Sequence, residues 1–141
     1  MTRRALPGGL ELDDDRGRVD VAELHRYLSS EAYWALGRSL DKVELLVREA
    51  SRVVGLYHGE RMAGFARAVS DGNSFAYLAD VYVLPELRGR GLGLALIREM
   101  VEGAPFGDVA WLLHTRDAQG LYAKVGFRSP GDRLMERPRG S

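Results

Sequence analysis

The apolar positions of this chain switch between two periods, and the switches mark its elements. Leu10 and Leu12 alternate with acidic neighbours, as in a short strand. Asp20 and Glu23 form a variant of the capping box, and Val21, Leu24 and Leu28 then recur at helical spacing, predicting a helix over about 21–30. Ser39 can cap a second helix carrying Leu40, Val43, Val47 and Ala50 on one face. Strands are predicted at 52–57 and 62–69 around the turn His58-Gly59-Glu60-Arg61, and a long one at 75–83 after the turn signal Asp71-Gly72-Asn73. The helix from Leu92 to about Glu102 has two apolar stripes, so it should be well buried; Gly103 and Pro105 end it. Residues 109–113 are almost uniformly apolar, as in a strand covered on both faces. A short helix over about 117–125 ends at Gly126, and Phe127 begins a last strand. Residues 1–7 read as a loose end, Asp13 to Asp15 as a solvated loop, and Arg133 to Arg139 as a solvated basic tail ending in loose residues 138–141. The order β-α-α-β-β-β-α-β-α-β gives a mixed sheet with helices on both faces.

Composition narrows the function classes. The chain has 141 residues, the size of one domain with one core. With 45% hydrophobic and 28% charged residues it has the balance of an ordinary soluble globule. It contains no membrane-length apolar run and no signal-peptide pattern, so a cytoplasmic location is expected. Lys plus Arg equals Asp plus Glu at 20 each, which gives no global reason to bind nucleic acid. Cysteine is absent, excluding disulfides, thiolate metal sites and a cysteine nucleophile. His25, His58 and His114 are far apart; each reads as a surface or packing residue, and no metal is expected.

One segment carries chemistry. Val83-Leu84-Pro85-Glu86-Leu87-Arg88-Gly89-Arg90-Gly91-Leu92-Gly93 joins a strand to a helix. Open amides at the helix start favour an anion, Arg88 and Arg90 add charge, and glycine lets a ligand approach the backbone. The dinucleotide pattern G-x-G-x-x-G fails, because its third glycine falls on Leu94 or Leu96, and G-x-x-x-x-G-K-[ST] is absent. What remains is R-x-x-G-x-G, from Arg88 to Gly93. By itself it could equally be a glycine-rich helix cap with its arginines in solvent.

That loop matches the pyrophosphate-binding motif of the GNAT superfamily of N-acetyltransferases, Q/R-x-x-G-x-G/A. Further on, Ala118-Gln119-Gly120-Leu121-Tyr122-Ala123-Lys124-Val125-Gly126-Phe127 resembles its second hallmark, A-x-x-L-Y-x-K-x-G-F. The strand Tyr77-Leu78-Ala79-Asp80-Val81-Tyr82-Val83 is similar to the fourth strand of polyamine-type members. The resemblance covers roughly residues 60–128. It implies an α+β fold of α/β/α layers, with a mixed, mostly antiparallel sheet whose fourth and fifth strands splay apart: the acyl-CoA N-acyltransferase fold. The whole of 1–141 would then be one N-acetyltransferase domain. Acetyl-CoA would be the co-substrate, its pantetheine arm pairing with the backbone of Val81, Tyr82 and Val83. Its pyrophosphate would sit on the amides of Arg88, Gly89, Arg90, Gly91, Leu92 and Gly93. A homodimer is compatible with the family.

Acetyl transfer needs a neutral amine, donors for the oxyanion and a proton for the departing thiolate. The resemblance implies Tyr122 as the proton donor, a phenol with an ordinary pKa of about 10; periodicity alone would make it a buried aromatic beside Ala118 and Val125. The family often carries a glutamate on its fourth or fifth strand as base, where this chain has Tyr77, Ala79 and Ala110. Asp80 is the one carboxylate inside the predicted fourth strand. It could act as the base, or be the structural partner of an arginine such as Arg67. A backbone amide near Val81 or Tyr82 would face the oxyanion. Thr115 stands where the family often has asparagine; it could bond the cofactor or cap the helix with Asp117. Tyr33, Trp34, Asp71, Phe75 and Tyr77 are candidates for the acceptor site, Tyr33 and Trp34 either as an aromatic wall beside an amine or as core residues pinning the helices. The leading reading is acetyl transfer to a small-molecule or protein amine. The alternatives are a non-catalytic acyl-CoA sensor, and thioester hydrolysis or transfer to oxygen.

Overall fold

The computed structural model describes residues 2–140. Six strands form one sheet in chain order: β1 (Arg3–Leu6), β2 (Leu10–Asp13), β3 (Arg52–His58), β4 (Arg61–Ser70), β5 (Phe75–Val83) and β6 (Ala110–Leu112). All neighbours are antiparallel except β5 and β6, which are parallel. The helices are α1 (Val21–Ser30), α2 (Leu40–Glu49), α3 (Leu92–Glu102) and the five-residue α4 (Gln119–Ala123). Asp20 caps α1 through the Glu23 amide and Ser39 caps α2 through the Lys42 amide, as their positions predict.

Two ends of the chain differ from expectation. Residues 3–6 are not a loose end: they pair with β2 around the turn Pro7-Gly8-Gly9, so the strand over 75–83 is the fifth in this chain. The side chains of β1 are largely exposed, which erased the alternation that would have announced it. At the other end, Phe127 begins no strand. The amides of Val125, Gly126 and Phe127 turn back to the carbonyls of Tyr122 and Ala123, with Gly126 at φ 93°. This αL ending satisfies the helix and redirects the chain. Residues 128–140, broken by Pro130 and Pro138, form no helix or strand. With nothing regular beyond it, β6 is shorter and less buried than its apolar run suggests.

Alternation assigns the faces. On β4, Phe65 and Arg67 border the space under α1 and α2, with Leu24, Leu28, Val43 and Val47. Ala66 and Ala68 point the opposite way, and α3 packs across β3, β4 and β5. Arg52 fixes α3 from below: its guanidinium donates to the carbonyls of Glu99 (2.7 Å) and Met100 (3.1 Å), and to the Glu99 carboxylate (3.1 Å). The helix thus ends on a buried cation and begins beside the C-terminal end of β5.

The core contains phenols. Burial pushes the Tyr57 hydroxyl up to about 12, with Arg18 opposing, and pushes the Tyr82 hydroxyl up as well. The unfolded chain releases these protons near pH 10, the folded chain later. Stability is therefore intact below pH 10 and falls as pH rises from about 10 to about 12. Thermal melting across this range should show Tm dropping steeply, and less steeply for Tyr57→Phe.

Candidate active site

β5 and β6 pair only at Phe75–Ala110, Ala76–Trp111 and Tyr77–Leu112, and then part. From Leu78 onward the β6-facing edge of β5 is unpaired, an open row of strand donors and acceptors. On its other side, β5 carries a bulge. Phe65 pairs with Tyr82 and Arg67 with Ala79, so Ala66 faces two residues, Asp80 and Val81. Asp80 has φ 55°, the single positive value outside glycine among the described residues. Opposite the bulge, Gly64 lets the Tyr82 carbonyl come close; a Cβ there would lie 2.8 Å from it.

Asp80 is 6% exposed and fully engaged. Its Oδ2 accepts from Arg67 Nε (2.6 Å) and Arg38 (2.9 Å), and its Oδ1 from Trp34 Nε1 (2.8 Å). Burial alone would raise its pKa; Arg67, Arg38 and Trp34 outweigh it and hold the carboxyl below the usual range. The geometry is that of an arginine partner rather than a free base.

At the end of β5 a single 3-10 turn (Pro85–Leu87) leads into the glycine loop. Gly89 has φ 83° and Gly91 φ 75°, and Gly91 is the N-cap of α3. Ala95 supplies the first helical amide bonded to a loop carbonyl, that of Gly91 at 3.1 Å. Contrary to expectation, the Arg88 amide is already taken, by the Pro85 carbonyl (3.3 Å) that closes the 3-10 turn; the amides between it and Ala95 are open, as at any helix start. Space is no obstacle at Gly91, where a Cβ would meet nothing within 4 Å; conformation is. Gly91→Ala should therefore cost about 1–2 kcal/mol, the penalty of a left-handed alanine, measurable by denaturant unfolding. Arg88 turns inward, donating to the Val83 carbonyl (3.0 Å) and the Tyr27 hydroxyl (2.8 Å). Tyr27 in turn stacks on Tyr82 at 3.9 Å. Arg88 thereby anchors the loop to β5 and α1, while Arg90 stays exposed.

Tyr122 lies on α4, half-buried, with the ring of Phe127 edge-on at 5.8 Å. Burial, with Tyr33 nearby, pushes its hydroxyl up to about 12. Thr115 Oγ1 accepts from the Ala118 amide (3.1 Å), which closes the turn leading into α4; the helix itself, with Ala118 at its N-cap, has no side-chain cap from Thr115 or Asp117. Asp71 holds its turn, accepting from the amides of Asn73 and Ser74 and from the Ser74 hydroxyl. These bonds hold its pKa low and account for its oxygens.

Tyr33 and Trp34 are not core pins. They are 42% and 40% exposed and meet edge to face at 5.1 Å. The Tyr33 hydroxyl accepts from the Arg116 amide (3.1 Å), and the Arg116 guanidinium lies 3.8 Å over its ring. Phe75, 40% exposed, and Tyr77 share a sheet face with Arg67, by the pairings of Val69 with Tyr77 and Arg67 with Ala79. A wall therefore runs from Tyr33 and Trp34, past Asp80, to Tyr77 and Phe75.

Two residues passed over in the sequence join it. The Tyr77 hydroxyl meets His114 Nδ1 at 2.5 Å, and His114 Nε2 meets the Glu136 carboxylate. His114 follows Leu112 at strand spacing, a parity visible in the sequence. Glu136 lies in the irregular tail, where no periodicity could flag it. Among the described residues, no group of three or more His, Cys, Asp or Glu is placed to hold a metal. No helix among them is long and apolar enough to cross a membrane.

Comparison with known proteins agrees with this geometry. Residues 21–127 match the profile described as the acetyltransferase (GNAT) family. A crystal structure from Xanthomonas campestris pv. campestris, assigned to that family, is 37% identical, covers 95% of each chain and superposes with a TM-score of 0.87. A Deinococcus radiodurans structure at 22% identity and TM-score 0.74 shares the fold. The protein ycf52 of Pyropia yezoensis, an uncharacterized N-acetyltransferase, is 27% identical over 77% of this chain and 65% of its own length. The histone acetyltransferase TAP1 of Glycine max is 31% identical over 80% of this chain and 54% of its own. The chain thus spans less than two thirds of these curated relatives. With a splayed sheet, a bulged central strand and a glycine loop opening α3, the chain belongs to the GNAT family of acetyltransferases.

Proposed function

We propose that this protein transfers an acetyl group from acetyl-CoA to a primary amine by direct attack in a ternary complex. The observation that carries this reading is the open edge of β5 running from its bulge to the amides before α3. An extended pantetheine arm would add to that edge as a strand. The pyrophosphate would take the amides from Gly89 to Gly93, since the Arg88 amide is held by the Pro85 carbonyl, with Arg90 supplying charge and Arg88 holding the loop in shape. The amide of Val81 or Tyr82, freed by the bulge, would face the carbonyl oxygen as it becomes an oxyanion. The amine nitrogen attacks the acetyl carbon, the C–S bond breaks, the thiolate takes the Tyr122 proton, and the proton that the nitrogen sheds as the amide forms restores the phenol. Asp80 keeps the bulge rather than accepting a proton. Tyr33, Trp34, Phe75 and Tyr77 would receive the acceptor, a small molecule or a protein amine, and Thr115 contributes by holding the turn that leads into α4. Acetyl-CoA is the only cofactor this scheme needs.

Calorimetric titration tests the reading. Acetyl-CoA should bind, while pantetheine, which lacks the pyrophosphate, should bind far more weakly. Thiol release in the presence of a panel of amines should follow. Equal affinity for both ligands would remove the loop from the site. Tight binding without transfer would leave a sensor in place of an enzyme.

A further inference from the structure

The acetyl-transfer reading leaves the proton of the acceptor ammonium without a destination, since both oxygens of Asp80 are engaged. The same face holds another acceptor. Tyr77 is the last residue of β5 paired with β6, at the closed end of the cleft. It lies two residues, about 7 Å along the strand, from Ala79 at the edge of the bulge. Its hydroxyl points to His114 Nδ1, and Glu136 occupies the far nitrogen of that ring. A carboxylate only accepts, so it fixes the imidazole with its proton on Nε2. Nδ1 is then left as an acceptor for the Tyr77 O–H. We infer that Tyr77, His114 and Glu136 form a proton relay that deprotonates the acceptor amine.

The step balances. The ammonium gives a proton to the Tyr77 oxygen as the phenol's own proton passes to His114 Nδ1. The product is a neutral amine, a neutral phenol and an imidazolium paired with Glu136. Tyr77 touches the acceptor; His114 relays through it, and Glu136 positions the imidazole. The charges facing the relay are Arg67 and Asp80 from the sheet, Glu136 from the tail, and Arg116 on the loop beyond His114. Asp80 is matched by Arg67 and Arg38, so Glu136 is the anion left to stabilise the imidazolium.

The test is kinetics across a pH series on the full chain, with the best amine found for the wild type. His114 and Glu136 are 61% and 55% exposed at their side chains, so their replacement should leave the fold and acetyl-CoA affinity intact. His114→Gln should lower kcat about 10²-fold or more and displace the acidic fall in rate to higher pH, where the fraction of neutral amine sets it. Added imidazole should restore part of the rate to His114→Ala. Glu136→Gln should cause a smaller loss and move the acidic limb, and Tyr77→Phe should match His114→Gln. A His114→Gln enzyme with wild-type kcat and an unchanged acidic limb would overturn the relay while leaving acetyl transfer standing. A wild type that binds acetyl-CoA but acetylates no amine would overturn the transfer reading and the relay with it.

Discussion

Tyr122→Phe will lower kcat by about 10²–10⁴-fold, the usual contribution of a positioned proton donor, with acetyl-CoA affinity unchanged. The substitution removes one oxygen and no packing surface. The ring keeps its edge contact with Phe127 and its place on α4. Burial holds the phenol protonated far past neutral pH, with a pKa of about 12, so the proton is present whenever a thiolate departs. The loss should shrink with an acyl donor whose leaving group needs no proton. A variant with full kcat would assign thiolate protonation to solvent. Weakened acetyl-CoA binding would give Tyr122 a packing role.

Asp80→Asn should destabilise the protein by about 3–5 kcal/mol, the range seen when one member of a buried ion pair is removed. The amide can still accept from Trp34, but it leaves Arg67 and Arg38 without their anion. Denaturant unfolding measures the loss. Because the folded pKa lies below the ordinary value of 3.8, this carboxylate stabilises the protein above that pH. The contribution disappears as pH falls through the lowered folded value. Wild type should therefore lose Tm in acid, and Asp80→Asn should lose less. A base role predicts the opposite pattern, stability kept and only kcat lost. The experiment thus decides between the two roles that the sequence allows for Asp80.

The sheet and the major helices were legible because their signals are local. Asp20 and Ser39 cap the helices their positions predict, and the long run over 75–83 is one strand. The bulge falls at Asp80 and Val81, beside the amides expected to face an oxyanion, at the one charged residue of that apolar strand. What escaped was long-range. Residues 3–6 have no alternation, and their strand exists because β2 offers an edge. Arg88 reads as a phosphate ligand by motif but bonds Tyr27, 61 residues away. His114 and Glu136 meet through a tail that carries no period. The sequence leaves Thr115 between two partners, and its bond to the Ala118 amide, in the turn before α4, is visible only with α4 in place.

The two halves of the site are written in different alphabets. The proposed cofactor side relies on main-chain atoms: a strand edge, a bulge and the amides of a left-handed glycine turn. Every residue type but proline supplies such atoms, so substitutions there are largely silent while the glycines, Asp80 and Arg88 remain. The proposed acceptor side is all side chain, from Tyr33, Trp34 and Phe75 to Tyr77 and His114, of which Tyr33, Trp34 and Phe75 are 40–42% exposed. A lineage can therefore exchange acceptors by changing a few exposed aromatics without renegotiating its acyl donor. Divergence among relatives should concentrate on this wall, and substrate range should follow it rather than overall identity.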